Sequence, residues 1–168
     1  VYADAIVTIT TPPPPPGTGN LPADTGGTVQ SEDGRTTVSI PADALAADTT
    51  FIVQTIDPSD VFAPINDQEY LAAAYIDTGG SSLNGSVSVT FNLNQWVAPG
   101  TELTLLRNGS TTGGISTLGA SDSGSSTAVV VDASGFKAVA EVTSIGSYLL
   151  TKEREFSDLT TSLSAITY

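Results

Sequence analysis

Between Asp57 and Asp77 the chain carries Asp57, Asp60, Asp67, Glu69 and Asp77 without a single Lys or Arg. Hard cations such as Ca2+ take about six to eight oxygen ligands from loop carboxylates and carbonyls. Asp57, Asp60, Asp67 and Glu69 are therefore a candidate calcium site. The stretch has neither EF-hand nor repeat-type spacing, and the same residues also read as a solvated loop that keeps the surface soluble. Asp122 and Asp132 raise the same question more weakly. No other cofactor is implied.

Paired carboxylates are also the machinery of glycoside hydrolysis. Among eighteen acidic residues some pair will fall at a suitable spacing by chance. Sugar clefts add aromatic platforms, and Trp96 is the sole Trp; beside the Pro99-Gly100 turn it reads as core or sheet rim. The sequence has no His and no Cys. It therefore has no Ser-His-Asp or Cys-His constellation, no imidazole metal site and no disulfide. The expectation is a protein that is not an enzyme. Asn84-Gly-Ser and Asn108-Gly-Ser match the N-glycosylation pattern, and Asn-Gly is equally the preferred two-residue hairpin turn.

Charge narrows the partners. The formal net charge is −13 over 168 residues, with 5 basic side chains. Phosphate backbones and anionic lipid surfaces need Lys and Arg, so nucleic acid and membrane surfaces are disfavoured. Hydrophobic residues make up 39 %, enough for a packed core. No run of about 18 apolar residues exists, so no transmembrane helix is expected. The chain does not start with Met, and the expectation is an extracellular or cell-surface protein from which a signal peptide has been removed.

The elements that would position these residues read as strands. Residues 27–151 form the expected β-sandwich domain. "GGTVQSEDGRTTVSIP" gives two strands around Asp33-Gly34, expected as a type I′ hairpin. "TTFIVQTID" and "GTELTLLRNG" read as strands, and "YLAAAYIDT" as a strand or short helix. In "GSVSVTFNL", Val87, Val89, Phe91 and Leu93 alternate inward. "ADALAADTT" is expected as a loop or single helical turn, and 110–126 as a long exposed loop with a short strand near Ile115–Leu118. "STAVVVDASG" and "FKAVAEVTSIGSYLL" close the domain. Seven or eight strands separated by turn signals make an antiparallel, immunoglobulin-like sandwich of two sheets. In 152–168, Phe156, Leu159, Leu163 and Ile166 suit a helix face, whereas Leu159, Thr161, Leu163 and Ala165 alternate like a strand.

The stretch "GGTVQSEDGRTTVSIPADALAADTTFIV" resembles the opening of ZU5-like β-sandwich modules of secreted and cell-surface proteins. The residues that carry the resemblance are Gly26, Gly27, Val29, Asp33, Gly34, Val38, Ile40, Pro41, Ala44 and Leu45. "AVAEVTSIGSYLL" resembles the closing strand, with Ser144, Ile145 and Gly146 where His-Phe-Ser is usual. The resemblance covers about residues 26–151. It implies an extracellular, non-enzymatic module and transfers no catalytic residue.

Before the domain, residues 1–11 alternate as a strand, with Val1, Ala3, Ala5, Val7 and Ile9 on one face. A Pro/Gly-rich linker over 12–26 follows, with 17–27 expected as loop. Five prolines, Pro12–Pro16, should form polyproline II, roughly 15 Å of semi-rigid spacer. A stiff arm favours delivery of its strand to a neighbour; the alternatives are that Val1–Thr10 folds back onto its own sandwich edge, with 17–26 as slack, or is a disordered linker remnant. Donation from copy to copy, head to tail, need not close and would build a filament. Val1–Ile9 would carry assembly, and Leu159 and Leu163 would line the acceptor groove or form a second contact. The alternative expectation is an adhesion or ligand-binding module of a larger surface protein, with the arm as an ordinary spacer.

Overall fold

A computed structural model of the chain describes residues 17–58, 67–108 and 128–154. They form ten strands in two antiparallel sheets, the all-β sandwich the alternating pattern calls for. The strands are β1 (Thr18–Leu21), β2 (Gly27–Gln30), β3 (Thr36–Ile40), β4 (Thr49–Thr55) and β5 (Gln68–Asp77). The second half holds β6 (Val87–Asn92), β7 (Glu102–Asn108), β8 (Ala128–Val130), β9 (Lys137–Val142) and β10 (Gly146–Glu153). One sheet has the order β1-β4-β5-β10-β7-β8 and the other β2-β3-β6-β9.

Alternation decides which side chains enter the core. On β6, Val87, Val89 and Phe91 are fully buried and Leu93 continues the row, while Ser88, Thr90 and Asn92 are half-buried on the other face. β9 repeats the scheme, with Ala138, Ala140 and Val142 inward and Lys137, Val139 and Glu141 outward. Facing them, Phe51 and Val53 of β4, Ala74 and Ile76 of β5, and Tyr148 and Leu150 of β10 complete one apolar cluster. Val29, Val38, Ile40, Ala44 and Leu45 join the same cluster. The outer face of the larger sheet carries a smaller cluster of Ala73 and Leu149 against Ile56, Tyr70 and Leu106.

Several expectations change. The segment expected as loop after the prolines contains β1. By propensity Thr-Gly-Asn-Leu is poor strand material; tertiary contacts decide. β1 ladders with β4 from Thr18–Ile52 to Leu21–Thr49 and buries Leu21 beside Val29. The ambiguous Ala-rich segment is a strand that begins inside the acidic stretch expected to be irregular. Helix propensity loses there because β5 lies between β4 and β10 and is buried on both faces. A bulge where β5 meets Leu150–Thr151 sends both Leu71 and Ala72 toward the main cluster. β10 runs on to Glu153, past the expected domain end at 151. The Ala42–Asp48 connection holds no helical turn; Leu45 bridges to Leu83. Among the described residues there are thus ten strands rather than seven or eight.

The β2–β3 turn also differs from expectation. A type I′ turn needs φ > 0 at both central residues. Here only Gly34 is positive, at +70°, and its N–H donates to the Ser31 carbonyl at 2.9 Å. The turn spans Ser31–Gly34 in type I fashion, with glycine last in the left-handed position. The two sides of the sandwich close differently. At one, the chain passes from β1 to β2 through Gly26 (φ +64°), where a Cβ would lie 2.2 Å from the Ile40 carbonyl oxygen. At the other, Val131 bridges to Ala138, joining β8 to β9.

Candidate functional site

The acidic residues do not gather. Asp57 and Asp67 are exposed, and Glu69 faces Lys152 with 3.7 Å between charged atoms. Asp67 occupies a left-handed turn position (φ +63°), and its carbonyl accepts the Arg154 N–H at 2.8 Å. Asp77 caps its own turn, accepting the N–H groups of Thr78 at 2.7 Å and Gly79 at 3.1 Å. Its carboxylate, together with burial, pushes the Tyr75 hydroxyl above its ordinary range, burial being the larger cause. Asp132 does the same for the β8–β9 turn; the Ser134 hydroxyl and the turn N–H groups hold its carboxyl below the usual range. Among the described residues no three acidic side chains converge on a common point. Asp60 and Asp122 lie outside the described residues.

Asn84 is exposed but is not part of a two-residue hairpin. The β5–β6 connection is longer, Gly85 lacks a positive φ, and the Asn84 amide reaches the Leu45 carbonyl at 3.4 Å. Asn108 is the last residue of β7, opposite Ser147; its partner Gly109 lies outside the described residues. So do all the expected assembly residues, Val1, Ala3, Ala5, Val7, Ile9, Leu159 and Leu163. What the structure does describe is the place where the N-terminal arm joins the body.

That root is built with care. Next to the β1–β4 ladder, the carbonyl of Gly17, the first described residue, accepts the Val53 N–H at 2.8 Å. Beyond Val53, no described strand pairs with Gln54 and Thr55 on the β1 side. A cleft of about 360 Å3 opens there, lined by Gly17, Glu32, Asp33 and Gln54 among others. Its floor is a polar network between the sheets. Asp33 Oδ1 accepts the Ser31 hydroxyl (2.7 Å), the Thr55 hydroxyl (2.8 Å) and the Arg35 N–H (3.0 Å). Ser31 Oγ in turn accepts the buried Thr36 N–H at 2.9 Å. Partial burial tends to raise the Asp33 carboxyl; the Arg35 N–H, the two hydroxyls and the Arg35 charge together outweigh it and hold it below the usual range. This network fixes the loop next to which the arm departs.

The opposite side carries an apolar corner that the sequence reading did not single out. Trp96, Val130, Phe136 and Val139 are the large hydrophobic residues left at least half exposed among the described residues. Val130 and Val139 flank the Val131–Ala138 bridge, one antiparallel step along. Phe136 leads into β9, and its carbonyl accepts the Leu93 N–H at 2.8 Å. Trp96 lies on Gly135; a Cβ there would stand 2.3 Å from the indole nitrogen. Trp96 is therefore rim, not core. The available signal was the phase of "KAVAEV": if the alanines point inward, Val139 must point outward with Lys137 and Glu141.

A second cleft, of about 380 Å3, lies between the sheets where β4 ends and β5 begins, walled by Arg35, Ile56, Tyr70, Asn92 and Asn94. Among the described residues no helix is long and apolar enough to cross a membrane. No known protein family and no curated protein matches the chain.

Proposed function

We propose that this protein is the structural subunit of an extracellular filament, assembled by head-to-tail donation of its N-terminal strand, residues 1–11, to a neighbouring copy. The observation that supports this reading is the place of Gly17, the residue directly after the five prolines, at the β4 edge, where its carbonyl accepts the Val53 N–H. Proline has no N–H to donate, so Pro12–Pro16 cannot prolong the ladder along Gln54 and Thr55. The alternating segment ahead of them must satisfy its backbone elsewhere. A stiff spacer rooted at a sheet edge holds that segment away from its own body. Val87, Val89, Phe91 and Leu150 lie fully buried in the cluster between the two sheets. The donated strand would extend an edge of its neighbour. The ZU5-like features of residues 26–151 support an extracellular setting.

Electron microscopy and sedimentation of the full chain test this, with a variant lacking residues 1–11 alongside. The expected result is filaments from the full chain and folded monomers from the truncated one. A full chain that stays monomeric at millimolar concentration overturns the reading. A monomer would return attention to an adhesion or ligand-binding module, which the cleft between Arg35, Tyr70 and Asn94 favours as a binding surface.

A further inference from the structure

We infer that the apolar β8–β9 corner, with the free edge of β9, is the acceptor for the N-terminal strand of a second copy of this chain; the inference rests on the filament reading above. β9 pairs with β6 through all of Lys137–Val142. On its other side, among the described residues, the Lys137 carbonyl accepts the Asp132 N–H at 2.9 Å and Ala138 bridges to Val131, and no described strand pairs with β9 further along. Alternate residues of β9 turn their backbone groups to β6, so past that bridge the Val139 carbonyl and the Glu141 N–H and C=O are the groups that face away from β6 with no described partner strand, a short template for an added strand. Edges of this kind are ordinarily blunted by charge. Here Val139 stands between Lys137 and Glu141, and Val130, Phe136 and Trp96 extend the apolar surface around it. Exposed apolar residues gathered in one place mark a contact, whereas scattered ones do not.

The occupant follows from where the remaining chain begins. Sixteen residues precede Gly17, and their only charged side chain is Asp4. Val1, Ala3, Ala5, Val7 and Ile9 form an apolar row suited to the Val139 corner. Asp4 finds in Lys137 one of the five basic residues of a strongly acidic protein. Topology supplies the polarity. The arm leaves from the β1/β2 side, and the β8/β9 side is the other end of both sheet orders. A contact between opposite sides of identical units is heterologous and propagates as a line. For the arm to reach its own β9, a stiff polyproline spacer would have to turn a corner and cross a whole sheet face.

The absence of cysteine makes the test clean. Full-length Val7→Cys is mixed with full-length Val139→Cys under mild oxidation, and in parallel with Thr28→Cys, an exposed β2 position on the arm's own side. Circular dichroism melts establish that each variant is folded. Val7→Cys should form covalent dimers with Val139→Cys about tenfold faster than with Thr28→Cys, the gain expected of a held over a random encounter. Filaments that cross-link equally well, or better, through Thr28→Cys overturn the β9 assignment and leave strand donation standing. A chain carrying both Val7→Cys and Val139→Cys that closes on itself as a monomer overturns both, as does a native chain that forms no polymer.

Discussion

At the level of single residues, the clearest consequences belong to Asp33 and Gly135. Asp33 accepts three hydrogen bonds in the loop beside the arm's root. Its folded carboxyl titrates below its ordinary value, which is 3.8. A depressed folded value means that the carboxylate stabilises the fold above the unfolded value and that this contribution is lost as pH falls through the folded one. Asp33→Asn should therefore cost about 1 kcal/mol at pH 7, a discounted figure for an exposed group. The gap between wild type and variant in urea melts should close as pH drops below the ordinary aspartate range. A gap unchanged at pH 2.5 would show that the geometry of the turn, not the charge, carries the effect. At Gly135 the backbone has φ +76° and the indole of Trp96 occupies the place of a Cβ. Gly135→Ala should cost roughly 1–2 kcal/mol from the left-handed backbone alone. It should also displace the single Trp, seen directly as a shift in its fluorescence. An unmoved emission maximum would contradict the packing of Trp96 on that turn.

At the level of elements, strength and legibility run together. Phe91 sits at the centre of β6, and Phe91→Ala should destabilise the fold by about 3–5 kcal/mol in a denaturant titration; a loss below 1 kcal/mol would show that β6 is not central. β6 was legible because its period-2 row is unbroken and its charged residues are absent. β1 was not, because Gly19 and Asn20 carry no strand signal and only the β4 edge and Leu21 burial hold it. β5 was half legible: its alanines suit either element, and the bulge at Leu71 breaks the alternation that would have decided. The apolar corner escaped because Val130, Phe136 and Val139 each read as core taken alone, and only the joining of β8 to β9 brings them together at the surface. The hairpin type at Asp33-Gly34 misled because the dipeptide permits several turns, and the Ser31 and Thr55 hydroxyls select among them. The arm is an element too. Replacing Pro12–Pro16 by a Gly/Ser segment of equal length keeps the reach and removes the stiffness. Sedimentation should then show more monomer or small closed oligomers, because a flexible tether lets the strand visit its own body. Filaments of unchanged length and yield would mean that rigidity plays no part in delivering the strand.

For the whole molecule, charge would oppose the proposed assembly. Each copy carries −13, and stacking copies at strand spacing brings those charges within a few nanometres. At about 0.01 M salt the screening length is roughly 30 Å, comparable to the domain; at about 0.15 M it is roughly 8 Å. Repulsion between bodies is thus felt across the contact at low salt and largely removed at physiological salt. The proposed strand contact would consist of backbone hydrogen bonding and apolar burial, which salt does not weaken. Growth should therefore accelerate with ionic strength and level off once the screening length falls below the distance between neighbouring acidic surfaces. Light scattering of the full chain between about 10 and 500 mM sodium chloride measures this, with the critical concentration falling several-fold across the range. The proposed pairing of Asp4 with Lys137 would act in the opposite sense and involves one pair, worth at most about 1 kcal/mol at a surface. If the critical concentration instead rises with salt, such pairwise attraction governs the contact. The mutual repulsion of the acidic bodies would then not be the quantity that sets when the filament grows.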